Sequence, residues 1–204
     1  GHCNLFGVRL TPAWARRNTP EVAACDYQGK RRDDQAWQLA PALFEAINSD
    51  ARFGGIAGHE VDMFADADNW QLPVFWSRWR CRGSAGLDAF AQDWADKRLF
   101  ANPPFVLIAR VVAEARRREV AITLVCQWDP QRLWWPVVQP DAPEAVAWRR
   151  VPADARNYLV EGEPLLRAPK ADVYVVRLDF TLQRQECSLR AAALRRVQAA
   201  QRRR

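Results

Sequence analysis

The apolar positions of this chain fall into runs of distinct period. From Phe105 to Arg117 they recur at Leu107, Ile108, Val111, Val112 and Ala115, with Glu114 and Arg116 to Arg118 left exposed, which predicts an amphipathic helix. Val120 to Cys126 is an apolar run of the kind found in strands covered on both faces. Leu99-Phe100-Ala101 and Val61-Asp62-Met63-Phe64-Ala65 read as shorter strands, the second ending in the acid-rich turn Asp66-Ala67-Asp68-Asn69. Leu87, Phe90, Ala91 and Trp94 stand at i, i+3, i+4 and i+7 and predict a short helix over 84–94. Val173 to Phe180 is rich in β-branched and aromatic residues and predicts a strand, with weaker strands at Ala145 to Arg150 and Asn157 to Val160. Such alternation predicts an α/β domain with a mostly parallel sheet and helices on both faces. Ligands of such sheets sit beyond the carboxyl ends of strands, where the turn after Ala65 and the loop at Asn102 both fall.

Composition narrows the field. At 204 residues and 49% hydrophobic content the chain suits one α/β domain with appendages. No apolar run is long enough for a membrane span and no signal peptide is visible, so the expectation is an intracellular protein with no membrane partner. The five cysteines, Cys3, Cys25, Cys81, Cys126 and Cys187, contain no C-x-x-C pair and read as reduced, mostly structural thiols, with no metal site indicated. His2 and His59 are the only histidines, which argues against a His-based hydrolase or metal enzyme.

The tetrapeptide Asn102-Pro103-Pro104-Phe105 joins a polar amide, a stiff turn and an aromatic ring at the end of a strand. Enzymes that methylate the exocyclic amino group of a nucleobase need those three features together. The amide oxygen and a proline carbonyl accept hydrogen bonds from the amino group, and the ring stacks on a base swung out of its duplex.

From about Trp37 to Phe180 the chain resembles the phage-type DNA N6-adenine methyltransferases and the related domain that follows ribonuclease H in DIRS-type, tyrosine-recombinase retrotransposons. The resemblance rests on Trp37-Gln38-Leu39-Ala40-Pro41 with Leu43-Phe44, Val61 to Ala65 followed by Asn69, Leu87-Asp88 with Trp94, the Asn102 to Phe105 motif, Ile122 to Val125, and Trp134-Trp135. It implies a Rossmann-like methyltransferase fold and S-adenosylmethionine as donor, bound between the Ala40-Pro41 segment and the loop after the Asp62 strand. Pro41, Asp62, Phe64, Ala65 and Asp88 become the candidate donor-binding residues, with Asp62 facing the positive end of the donor and Asp88 its ribose or adenine. Asn102, Pro103, Pro104 and Phe105 become the catalytic set. The sequence departs from the family at Phe105, where many members have Tyr, and at Ala40, where Thr is usual. The alternative is a domain of a retrotransposon polyprotein that keeps the fold, binds nucleic acid and has lost the chemistry. As a retroelement product in a eukaryote it would be nuclear, and otherwise cytoplasmic.

A second, weaker resemblance covers residues 1–34. Val8 to Asn18 looks like the last strand of a retroelement ribonuclease H, but Glu21-Val22-Ala23-Ala24-Cys25 lacks the family's metal-ligating Asp, so no nuclease activity is expected. The methyltransferase-like domain is then 35–182, and 183–204 is a basic tail.

Charge is uneven. Residues 181–204 hold seven arginines against Glu186, a net of +6, which equals the charge of the whole chain. Arg195 and Arg196 of this tail are candidates for phosphate contact with nucleic acid, DNA first. Trp76, Arg78 and Arg80, interleaved within Phe75 to Arg82, suggest a second nucleic-acid-facing segment, and Trp134-Trp135 a third.

Overall fold

The computed structural model describes residues 37–160, 163–165 and 167–181, together with the backbone of Asn4–Leu5 (β1) and Val8–Arg9 (β2), which pair antiparallel. The basic tail, with Arg195 and Arg196, and most of the leader lie outside the described residues. In chain order the next elements are β3 (Gln38–Leu39), helix α1 (Pro41–Asn48), helix α2 (Ala51–Gly54), β4 (Val61–Asp62), β5 (Trp76–Ser77), β6 (Gly86–Leu87) and β7 (Leu99–Ala101). Helix α3 (Ile108–Arg118), β8 (Ala121–Gln127), helix α4 (Trp135–Val138), β9 (Ala145–Val151), β10 (Tyr158–Val160), β11 (Glu163–Pro164) and β12 (Val173–Asp179) complete the set.

The central sheet runs β4-β7-β8-β12-β9. β4, β7 and β8 are parallel, while β12 lies antiparallel to both of its neighbours, so the sheet is mixed and only partly parallel, not mostly parallel as the sequence suggested. The physical reason is local. β8 and β12 each bury five of their seven residues and pair over seven positions, so β12 enters the middle of the sheet and not its edge. On the other side, β5 and β6 form a parallel ribbon, and one parallel bridge between Asp62 and Phe75 ties it to the β4 edge. Numbered among themselves in chain order, these seven strands lie third, second, first, fourth, fifth, seventh, sixth. The chain's progress across the sheet reverses between β4 and β7.

Helices cover both faces. Successive β8 side chains point to opposite sides: Ile122, Leu124 and Cys126 join the core under α3 with Val111, Val112 and Ala115, and Val125 joins the core under α1 and α2 with Phe44, Ile47 and Phe53. Pro41 opens α1, where its fixed φ suits a first helical turn. The Asp50 side chain caps α2 by accepting from the Arg52 N–H at 3.0 Å. Helix α3 stops at Glu119, which takes a left-handed φ of 53°.

The helix expected over 84–94 is absent. Gly86–Leu87 instead pair with Trp76–Ser77, Asp88 turns the chain at φ 54°, and only a single 3-10 turn, Ala89–Ala91, follows. The helical spacing of Leu87, Phe90, Ala91 and Trp94 is coincidental: Leu87 is exposed, whereas Trp94 is buried and donates its indole N–H to the Ala89 carbonyl at 2.6 Å.

Candidate functional site

A cavity of about 480 Å³ opens where the chain's progress across the sheet reverses. Four parallel strands each contribute the segment just past their carboxyl end. Residues Met63 to Asp68 follow β4; Ser77 ends β5, and Arg78, Trp79 and Cys81 follow it; Asp88, Ala89 and Phe90 follow β6; Pro104, Val106, Leu107 and Arg110 follow β7. The volume lies within the range of small-molecule and cofactor sites, and the mixture of apolar walls with a few charges is typical of them.

One wall is aromatic. Phe64 meets Phe90 edge to face at 5.6 Å, and the Arg110 guanidinium lies over the Phe90 ring at 3.7 Å. Asp88 shapes the turn beneath Phe90: its carboxylate accepts the Phe90 N–H at 3.0 Å while its own φ is 54°, a conformation that costs energy for a residue with a Cβ. The acids Asp66, Asp68 and Asp88 and the arginines Arg78 and Arg110 supply the charge.

Asp62 is turned into the fold, away from the cavity. It is 3% exposed, and its Oδ2 accepts the Gln71 N–H at 3.0 Å, with the Phe64 N–H as a second donor. Burial pushes its carboxyl up to about 7, the two N–H groups pulling the other way. Asp62 therefore fixes the loop that lines the cavity, whereas the sequence placed it against the ligand. Phe64, Ala65 and Asp88 do line it. Pro41 does not: it is exposed at the start of α1, beside the small sheet that β3, β10 and β11 form.

The Asn102 loop lies between this cavity and a second hollow of about 20 Å³, room for about one water, lined by Trp37, Gln38, Leu39, Asn102 to Phe105, Val125, Tyr158 and Val173. Pro104 borders both. Asn102 Nδ2 donates to the Trp37 carbonyl at 2.8 Å. With its amino group so engaged, the amide keeps Oδ1 as its acceptor end. Phe105 stands edge-on to Trp37 at 6.2 Å, and Trp37 packs on Tyr158 at 5.8 Å. β3 is positioned by pairing with β10, Tyr158 opposite Leu39.

The expected nucleic-acid residues separate. Arg78 and Arg80 are exposed on the loop after β5, but Trp76 is 5% exposed in the α3-side core. Trp135 is 6% exposed in the same core beside Tyr174, with Trp134 packed against it. A ring whose faces are already packed cannot stack on a base, so Trp76 and Trp135 are core residues. Sequence reasoning missed Phe90 and Arg110 as cavity residues. The helical reading put Phe90 on a buried stripe. Arg110 lies on the exposed flank of α3, and its one sequence signal is a place five residues after Phe105.

Compared with known proteins, the chain matches no protein-family model and no curated relative.

Proposed function

We propose that this chain is an S-adenosylmethionine-dependent methyltransferase acting on the adenine amino group of DNA, built on a Rossmann-like sheet. The observation that carries the reading is the meeting of the Asn102-Pro103-Pro104-Phe105 loop with a 480 Å³ cavity at the point where the strand order reverses. Doubly wound nucleotide-binding sheets place their ligands there, and the order third, second, first, fourth, fifth is theirs. The residues present fit the donor: Phe64 and Phe90 offer apolar faces for a planar base, and the carboxylates of Asp66, Asp68 and Asp88 suit a ligand that carries hydroxyls and positive charge. When bound, the donor supplies an electrophilic methyl group.

The protein's part is orientation. Asn102 Oδ1, aimed by the grip of the Trp37 carbonyl on Nδ2, and the Pro103 carbonyl accept the two N–H bonds of the adenine amino group and direct its lone pair away from them. Pro103 and Pro104 hold that backbone stiff, and Phe105 stacks on the base. A purine does not fit the 20 Å³ hollow beside Asn102 as it stands, so base entry requires Trp37 or Phe105 to swing aside.

Titration calorimetry with S-adenosylmethionine, followed by transfer of labelled methyl to DNA, tests the reading. Micromolar donor binding is expected in the native chain and in Asn102→Ala, with transfer in the variant reduced by roughly 100-fold or more. A folded protein that takes up no donor and transfers no label would refute it. A second reading, a catalytically silent nucleic-acid-binding module of a retroelement polyprotein, is favoured by one observation: the Asp62 carboxyl is spent on backbone N–H groups and does not reach the cavity.

A further inference from the structure

We infer that Arg78 and Arg110 form a phosphodiester clamp at the rim of the cavity, and that a nucleic-acid strand lies along the loop after β5 with its phosphates on these two guanidiniums. The inference takes the nucleic-acid partner from the function proposed above but does not require methyl transfer. It rests on three independent observations.

Each guanidinium is held on an aromatic ring and not by an acid. Arg78 lies over Trp79 at 5.1 Å and Arg110 over Phe90 at 3.7 Å, and among the described residues neither has a carboxylate within ion-pairing distance. Arg156 and Arg132, by contrast, are neutralised, Arg156 paired to Asp154 at 2.6 Å and Arg132 to Asp129 at 2.8 Å. A stacked, unpaired guanidinium keeps its full charge and its donor fork for an outside anion.

Charge is also segregated along the chain. Between Asp68 and Asp88 the sequence holds Arg78, Arg80 and Arg82 and no acidic residue. The acids of the cavity, Asp66, Asp68 and Asp88, come from the other two loops, so the cations of the rim are supplied by the β5 loop together with Arg110. Finally, Trp79 is 45% exposed beside Arg78, which leaves ring surface for a base. Alternating arginine and open tryptophan fits a strand that offers both phosphate and base faces better than it fits an acidic peptide.

The test is fluorescence anisotropy of a labelled single-stranded DNA of roughly a dozen nucleotides, bound to the full chain between about 50 and 300 mM potassium chloride. Arg78→Gln and Arg110→Gln should each lower the slope of log affinity against log salt by about 0.7, and together by about 1.4. Arg156→Gln removes the same charge from a neutralised pair and should leave the slope unchanged. Trp79→Leu should weaken binding roughly ten-fold with the slope preserved. S-adenosylhomocysteine binding is measured alongside on every variant. If Arg78→Gln and Arg110→Gln abolish binding of that nucleoside and leave the DNA slope intact, the cations serve a small-molecule carboxylate and the clamp is wrong. Slopes equal to that of Arg156→Gln would also overturn it. A native chain that binds no nucleoside but shows the predicted slopes would refute the methyltransferase reading and keep the clamp.

Discussion

Asp62 offers the sharpest test of how the site is built. Its carboxyl is 3% exposed, faces two backbone N–H groups and has no cation beside it among the described residues, and burial lifts it from 3.8 to about 7. A carboxyl raised on folding is held neutral while the unfolded chain ionises. Its contribution to stability is therefore complete below the unfolded value and is lost as pH rises from 3.8 toward 7. A rise of that size corresponds to about 4 kcal/mol at most, and about 2 to 3 kcal/mol of that falls between roughly pH 5 and pH 8. Asp62→Asn keeps an acceptor for one N–H but cannot ionise. Urea unfolding of both proteins across that window should show the native chain losing about 2 to 3 kcal/mol relative to the variant. Every other titrating group is common to both, so the difference in slope isolates Asp62, whatever the two absolute stabilities are. Parallel curves would mean that the carboxyl is already ionised in the fold, and would refute the account of Asp62 as a buried, cation-free anchor of the cavity loop.

Two further outcomes follow from the same geometry. His59, buried between Asn48 Oδ1 at 2.9 Å and Thr123 Oγ1 at 2.8 Å, is pushed down to about 4 by burial first and then by Arg177 and Arg98. A depressed histidine stabilises the fold above its unfolded value of 6.5 and loses that contribution as pH falls toward 4, so the native chain should lose up to about 3 kcal/mol relative to His59→Gln on acidification, read by the same urea series. Glu119 ends α3 at φ 53°, where glycine carries no Cβ penalty, and Glu119→Gly should raise stability by about 0.5–1 kcal/mol, visible as a higher thermal midpoint.

What was legible in the sequence was set by local periodicity. Helix α3 and strands β7, β8 and β12 stand close to where their apolar spacing put them, because each buries a stripe or a face long enough to be read without knowing its partner. The segment 84–94 was misread because a glycine, a left-handed Asp88 and one short turn can mimic helical spacing over a single heptad. Trp76 was misplaced for a related reason: an aromatic among arginines looks alike whether its strand faces solvent or a core, and only the bridge of Phe75 to Asp62 shows which. The Asn102 loop and the turn after β4 were found as ends of strands, but the roles of Asp62 and Pro41 depend on packing that no local pattern encodes.

The hydrogen bond from Asn102 Nδ2 to the Trp37 carbonyl spans 65 residues of chain. An amide is nearly symmetric in shape and opposite in polarity at its two ends, so a site built on one needs something outside to decide which end it shows. Here that decision belongs to the backbone just ahead of α1. A version of this protein trimmed to begin at Pro41 would keep the Asn102 motif, yet its amide would lose this partner, be free to flip and offer donor or acceptor indifferently. The smallest portion that fixes the orientation of this amide therefore includes Trp37, outside the tract that carries the motif itself.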